Sequence, residues 1–312
     1  MALTGSERTI GDAARAEVVS VVRQACSQAG LDAAEVRPMR SAGALFLRLA
    51  GEVVARVDTP GRTAAARRAL AVSRWLTESD IAAPQCLSGL EQPIRVHGHA
   101  VTFWHALPAH RRATPAEVGG LLARLHRLPP PTAVDLAALS PFSSAESRVR
   151  AAATLDPRDR RWLREHVGRL RYRWTALPEG EPWGVVHGDA RSGTIAVGED
   201  GRVLLRDIDH VAIGPPEWDA IGTAVALTSF GWITADQYAG FCRSFGRDVL
   251  RWAGFYLLRD IRELHMTLAA AAAAVHDPAY RDHAAYRVRC LRGDEGPRQW
   301  RAWRPLDRVR TR

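Results

Sequence analysis

The sequence contains no lysine and no asparagine, so all 43 residues of its lysine-plus-arginine total are arginine. An absence this complete over 312 residues points to a genome-wide codon bias toward arginine, and it weakens what a net charge of +9 ordinarily implies about a polyanionic partner. The arginines are spread along the whole chain. The terminal stretch "RQWRAWRPLDRVRTR" does interleave them with Trp300 and Trp303, rings able to stack on bases, but the even spread elsewhere makes nucleic acid an unexpected partner. Cysteine is scarce: Cys26, Cys86, Cys242 and Cys290 lie far apart with no C-x-x-C pair, which suggests free thiols and neither a zinc site nor a disulfide framework. No apolar run approaches the roughly 20 residues that a membrane span needs. The longest, "MTLAAAAAAV" at 266–275, is short and Ala-rich and reads as a buried helix. The start, "MALTGSERTIGDAARAE", is charged and has no apolar signal-peptide core, so the expected location is the cytoplasm.

What is present is a globular composition, 46% hydrophobic and 25% charged. Residues 10–29 carry apolar side chains at helical spacing. "LFLRLAGEVVARVD" then gives two short runs of Leu, Val and Phe with Gly51 at their junction, which predicts a β-hairpin. A helix over 63–80 follows, with Ala66, Leu70, Trp75 and Leu76 available to an inner face, and strand character returns in "RVHGHAVTFWHAL" at 95–107. After Pro115 the pattern is mainly helical. "AEVGGLLARLHRL" sets Val118, Leu121, Leu122 and Leu125 on one stripe, and Asp156 followed by Pro157 opens a long charged helix. Two brief β runs interrupt the helices near 184–210, and helix resumes to about 292. No flexible linker and no internal repeat appears.

The two β runs flank the chemistry. Residues 187–219 read "HGDARSGTIAVGEDGRVLLRDIDHVAIGPPEWD". A loop with His187-Gly188-Asp189, a strand pair, Asp207-Ile208-Asp209 and then "EWD" resembles the aminoglycoside and choline phosphotransferase family, relatives of protein kinases, in an actinobacterial form. "RALAVSRWL", "VTFWHALP" and "GGLLARLHRLPPP" are similar to that family's N-lobe helix, hinge and following helix. The resemblance implies an α+β, bilobal protein-kinase-like fold. Its small antiparallel-sheet N-lobe, 1–105, would bind nucleotide, and its mainly helical C-lobe, 106–312, would carry catalysis and acceptor. It implies ATP, with GTP open, and Mg²⁺, and transfer of the γ-phosphoryl group to a hydroxyl of a small molecule. Asp189 would be the base that orients the acceptor hydroxyl and takes its proton, and Asp207 a metal ligand, since hard Mg²⁺ takes oxygen donors. His187 would pack under the loop and bond to backbone near Asp207, and Trp218 and Asp219 would anchor the loop. Trp104 and His105 in the hinge and Gly43 in "RSAGALF" would meet the nucleotide. Asp209, Asp260 and Glu263 are the candidates for the acceptor side.

Three positions depart from the family pattern. With no lysine available, Arg56 in "VVARVD" stands where the phosphate-contacting lysine is expected, keeping the charge in a planar fork. The helix acid that would position it is replaced by Ala69, so Arg56 is expected to lack a partner. The metal-binding asparagine five residues after Asp189 is Thr194, whose hydroxyl is a shorter second ligand. The departures at Thr194 and Ala69, with a phosphate-covering turn reduced to Gly43 without paired glycines, leave open a nucleotide-binding, pseudokinase-like regulatory protein; a peptide Ser or Thr is a minority acceptor.

Overall fold

The computed structural model describes residues 12–39, 45–306 and 309. Short runs, most of them rich in Leu, Val and aromatic residues, build an N-terminal antiparallel sheet from β1 (Arg37–Met39), β2 (Leu45–Arg48), β3 (Val53–Asp58), β4 (Ile94–Val96) and β5 (His99–His105), in the order β1-β2-β3-β5-β4. The expected hairpin is β2 and β3, with Leu45 opposite Val57. The run at 95–107 folds as a second hairpin of β4 and β5. His97 and Gly98 form its two-residue turn, both at positive φ, which matches the right-handed strand twist. Helix α1 (Asp12–Ala29) lays Val18, Val21, Val22, Ala25 and Cys26 against Leu47, Ala55, Val57, Val101 and Phe103 of the sheet.

Helix α2 (Thr63–Glu78) buries Ala66, Ala69, Leu70, Val72 and Leu76, and most of these join the larger core of the C-terminal part together with Trp104. Each fully buried aliphatic side chain there contributes about 1.5–3 kcal/mol relative to exposure. The short strand β6 (His110–Arg112) follows; three exposed basic residues carry no alternation, and the strand exists because it pairs with β8 (Ile195–Gly198). Helix α3 (Pro115–Leu125) starts at a capping box of Thr114 and Glu117. Helices α4 (Ala145–Ala151) and α5 (Pro157–Trp174) come next, α5 capped by Asp156, which accepts the Arg158 N–H at 2.7 Å.

Strands β7 (Gly184–Val186), β8, β9 (Val203–Leu205) and β10 (Ala212–Gly214) make two small ladders, β7 with β10 and β8 with β9. This pairing sets the β7–β8 loop, 187–194, beside the β9–β10 loop, 206–211. Helices α6 (Glu217–Thr228), α7 (Ala235–Phe245), α8 (Phe255–His276) and α9 (Arg281–Arg292) complete the chain. The Ala-rich run lies in α8, with Ala270, Ala271, Ala273 and Ala274 buried. Among the described residues no helix is long and apolar enough to cross a membrane. The architecture is α+β, an antiparallel sheet followed by a helical part, as the sequence implies.

Candidate active site

The loop 187–194 is held by its backbone. Asp219, in the first turn of α6 and 0% exposed, accepts the His187 N–H at 2.7 Å on Oδ2 and the Gly188 N–H at 2.9 Å on Oδ1. His126 donates to the same carboxylate at 3.0 Å, and the Trp218 indole donates to the Gly188 carbonyl at 2.8 Å. Gly188 has φ +83°, and a Cβ there would run into the His210 carbonyl of the facing loop, so only glycine lets the loops approach. His187 Nδ1 accepts from the Asp189 N–H at 3.1 Å. Its proton therefore sits on Nε2, which donates to the Arg206 carbonyl at 2.7 Å and ties one loop to the other immediately before Asp207.

This framework presents Asp189 to two arginines. Arg262 of α8 donates to Oδ1 at 2.6 Å and Arg191 to Oδ2 at 3.2 Å. Burial raises the carboxyl pKa, but Arg262, Arg191 and His210 outweigh it and hold the group well below the ordinary carboxylate range. Asp189 is thus an ionised hydrogen-bond acceptor across the working pH range. Asp207, at φ 52° and with a half-exposed side chain, faces Arg191 at 4.0 Å, so one guanidinium spans the two carboxylates.

Thr194 stands differently from the expectation. It is 0% exposed, and its hydroxyl donates to the Asp189 carbonyl at 2.9 Å and accepts the Arg191 N–H at 3.1 Å. The hydroxyl closes the loop from inside; as placed, it has no face toward a metal.

On the sheet side Arg56 does have positioning partners. Asp58, two residues along β3 and therefore on the same face, takes Arg56 Nε and Nη2 at 3.0 Å each, and Asp209 takes Nη1 at 2.7 Å. Arg56 is 5% exposed and Asp58 3%. Arg68, next to the Ala69 that replaces the expected acid, donates instead to the Asp209 carbonyl at 2.6 Å. Asp209 therefore bonds the sheet to the second loop through one carboxylate oxygen, while its side chain stays 40% exposed.

A model of the phosphotransferase enzyme family matches residues 41–258, which includes both loops, Arg56 and α6. The chain belongs to this family. No curated protein matches the sequence. Among solved structures the phosphotransferase chain is similar to a choline/ethanolamine kinase family protein from Mesorhizobium loti, at 18% identity and a TM-score of 0.58 over 91% of this chain and 98% of that one. It is similar to an amicoumacin kinase bound to AMP-PNP, Ca²⁺ and its antibiotic, at 12% identity and 0.67 over 91% and 96%. An aminoglycoside phosphotransferase from Streptomyces rimosus with ADP and streptomycin gives 19% identity and 0.55 over 79% and 97%. At these identities the likeness establishes the bilobal kinase-like fold.

The remaining expected residues of the phosphotransferase divide. Trp104 is buried between the sheet and the helical core, its indole donating to Thr102 Oγ1 at 2.8 Å, so it shapes the hinge from inside. His105 is exposed, with its N–H spent on the Gln85 carbonyl at 2.8 Å. Gly43 lies outside the described residues. Asp260 is met by Arg173 at 3.1 Å, Arg259 at 2.9 Å and Arg298 at 3.0 Å. Glu263 is fully buried, accepting from Ser229 at 2.6 Å and from Arg298 at 2.8 Å. Both carboxylates are neutralised by the protein itself, so neither is open to a cationic acceptor, and Arg259 pairs with Asp260 and not with Glu263. Asp58 is a partner that the sequence reading missed, although an acid two residues from Arg56 on one strand face was the signal for it. Arg262 and Arg298 had no local signal, because their partners lie far along the chain.

Proposed function

We propose that the chain transfers the γ-phosphoryl group of a nucleoside triphosphate to a hydroxyl of a small molecule. The observation that carries this reading is the pair of carboxylates, Asp189 and Asp207, on two loops fixed against each other through His187 and Asp219. The acceptor hydroxyl would hydrogen-bond to Asp189, which receives its proton as the oxygen takes the phosphoryl group and nucleoside diphosphate leaves. A loose transition state asks little basicity of that carboxylate and much orientation, so an acid held ionised by arginines suits the task. Arg56, oriented by Asp58, supplies cationic charge from the sheet.

The similar kinase structure holding AMP-PNP and Ca²⁺ favours a divalent cation, and the donor set here fits one. Asp207 offers a half-exposed carboxylate, and hard cations commonly take one or two carboxylates plus phosphate oxygens. Bound Mg²⁺ would neutralise charge developing on the phosphates; Thr194 would support the loop from within. The spanning guanidinium of Arg191 and the inward Thr194 hydroxyl favour a second reading, a nucleotide-binding protein without catalysis.

The test is nucleotide-dependent phosphorylation with ATP or GTP and Mg²⁺ over a panel of alcohols, together with nucleotide titration. Turnover that falls about 10²–10⁴-fold in Asp189→Asn with nucleotide binding kept supports transfer. Nucleotide binding with no turnover of any acceptor supports the second reading.

A further inference from the structure

Cations outnumber carboxylates around Asp189. Its one carboxylate meets Arg262 at 2.6 Å and Arg191 at 3.2 Å. A third arginine, Arg148, comes from α4, which packs against α8, and lies within electrostatic reach of Asp189. It is only partly exposed and has no side-chain hydrogen bond or ion pair among the described residues. Burial lowers its pKa and Asp189 opposes that. Arg262 spends one N–H on Asp189, while its Nε is buried with no acceptor. A guanidinium carries five donors, so this corner holds cationic N–H groups in excess of what the protein fills.

The carboxylates nearby do not balance them: among the described residues, beside Asp189 only Asp207 faces these arginines, at 4.0 Å from Arg191. Asp260 and Glu263 are already taken by Arg173, Arg259 and Arg298. His265 adds no negative charge: its Nε2 donates to the Pro141 carbonyl at 2.7 Å, and burial, then Arg262 and Arg148, pull its pKa down to about 4. A partly buried cation without a partner is costly, and a planar fork matches carboxylate or phosphate oxygens two at a time.

We propose that the hydroxylated acceptor is an anion, bound through its carboxylate or phosphate oxygens by Arg148, with Arg262 beside Asp189 supplying adjacent positive charge. The proposal rests on the phosphotransferase reading for its chemistry, though not for its binding. A cationic aminosugar or choline head in the same corner would meet like charge, whereas an anion completes the arginines and leaves its hydroxyl beside Asp189.

Matched probes decide it: gluconate against glucose and glucosamine, and glycerate and glycerol phosphate against glycerol. Each is assayed for nucleotide-dependent phosphorylation and, separately, for binding by calorimetry without nucleotide. The two glycerol derivatives distinguish a carboxylate site from a phosphate site. Anionic members are expected to exceed their neutral counterparts at least about ten-fold in kcat/KM, with glucosamine lowest. Arg148→Gln, verified as folded by its Tm, is expected to cut the anionic-to-neutral ratio about ten-fold, chiefly through KM. Best turnover of glucosamine, or an equal loss for all acceptors in Arg148→Gln, overturns the anion proposal and leaves phosphotransfer standing. If nothing is phosphorylated although nucleotide binds, phosphotransfer fails, and calorimetry decides the rest. Anion-selective binding lost in Arg148→Gln upholds the site, and no binding of any anionic probe overturns it.

Discussion

Replacing Asp219 separates the roles of shape and charge in holding the 187–194 loop. Its Oδ2 takes the His187 N–H and the His126 ring, and its Oδ1 takes the Gly188 N–H, all in a place with no solvent to substitute. Asp219→Asn keeps the volume and one oxygen. The best amide orientation leaves that oxygen on His187 and His126 and turns the NH₂ toward the Gly188 N–H, so one buried donor is stranded at a cost of about 2 kcal/mol. Asp219→Ala strands all three donors, about 5 kcal/mol. With Tm moving roughly 2–4 °C per kcal/mol in larger domains, the two variants are expected about 6 °C and about 15 °C below wild type. Thermal unfolding by near-ultraviolet circular dichroism reads the first quantity. Steady-state kinetics reads the second: Asp189 hangs from this loop, so kcat should fall further than nucleotide KM rises. An Asp219→Asn protein with unchanged Tm and unchanged kcat would refute the reasoning, because the loop would then be held by something other than this carboxylate.

Thr194→Val keeps the shape of the side chain but strips the bonds to the Asp189 carbonyl and the Arg191 N–H, and is expected to cost about 1–2 kcal/mol, while Thr194→Ser costs less; urea unfolding midpoints compare the two. Asp58→Asn takes the bidentate partner from a buried arginine and is expected to cost about 3 kcal/mol and to weaken nucleotide binding, measured by titration of a fluorescent nucleotide. His265 binds its proton only near pH 4 when folded and near pH 6.5 when unfolded, so unfolding takes up a proton between these values and stability falls as pH drops through that window. His166 and His283 shift in the same direction. Tm measured from about pH 7 down to about pH 4 should decline, with a shallower slope in His265→Gln.

Much of the fold was legible because its signals are local. The apolar runs on either side of Gly51, the Asp156-Pro157 helix start and the stripe at Val118, Leu121, Leu122 and Leu125 each act within a few residues, and the elements form where those patterns stand. Strand β6 and the turn at His97-Gly98 were not legible in the same way. The first depends on an edge offered by β8, and the second on His97, a residue other than glycine, taking positive φ ahead of Gly98 between paired strands.

The candidate site divides along the same line. Covalent order alone put Asp189, Asp207 and the Trp218-Asp219 pair at spacings that mark a phosphotransferase loop, and composition alone removed lysine and asparagine from it. Which charges meet is a different matter, because an ion pair is a property of distance in space. Arg262 reaches Asp189 across 73 positions and Arg56 reaches Asp209 across 153. Only the packing of α8 against the loop, and of the sheet against the second loop, turned Glu263 and Asp260 into neutralised carboxylates. The same packing folded Thr194 inward and brought Arg148 within electrostatic reach of Asp189.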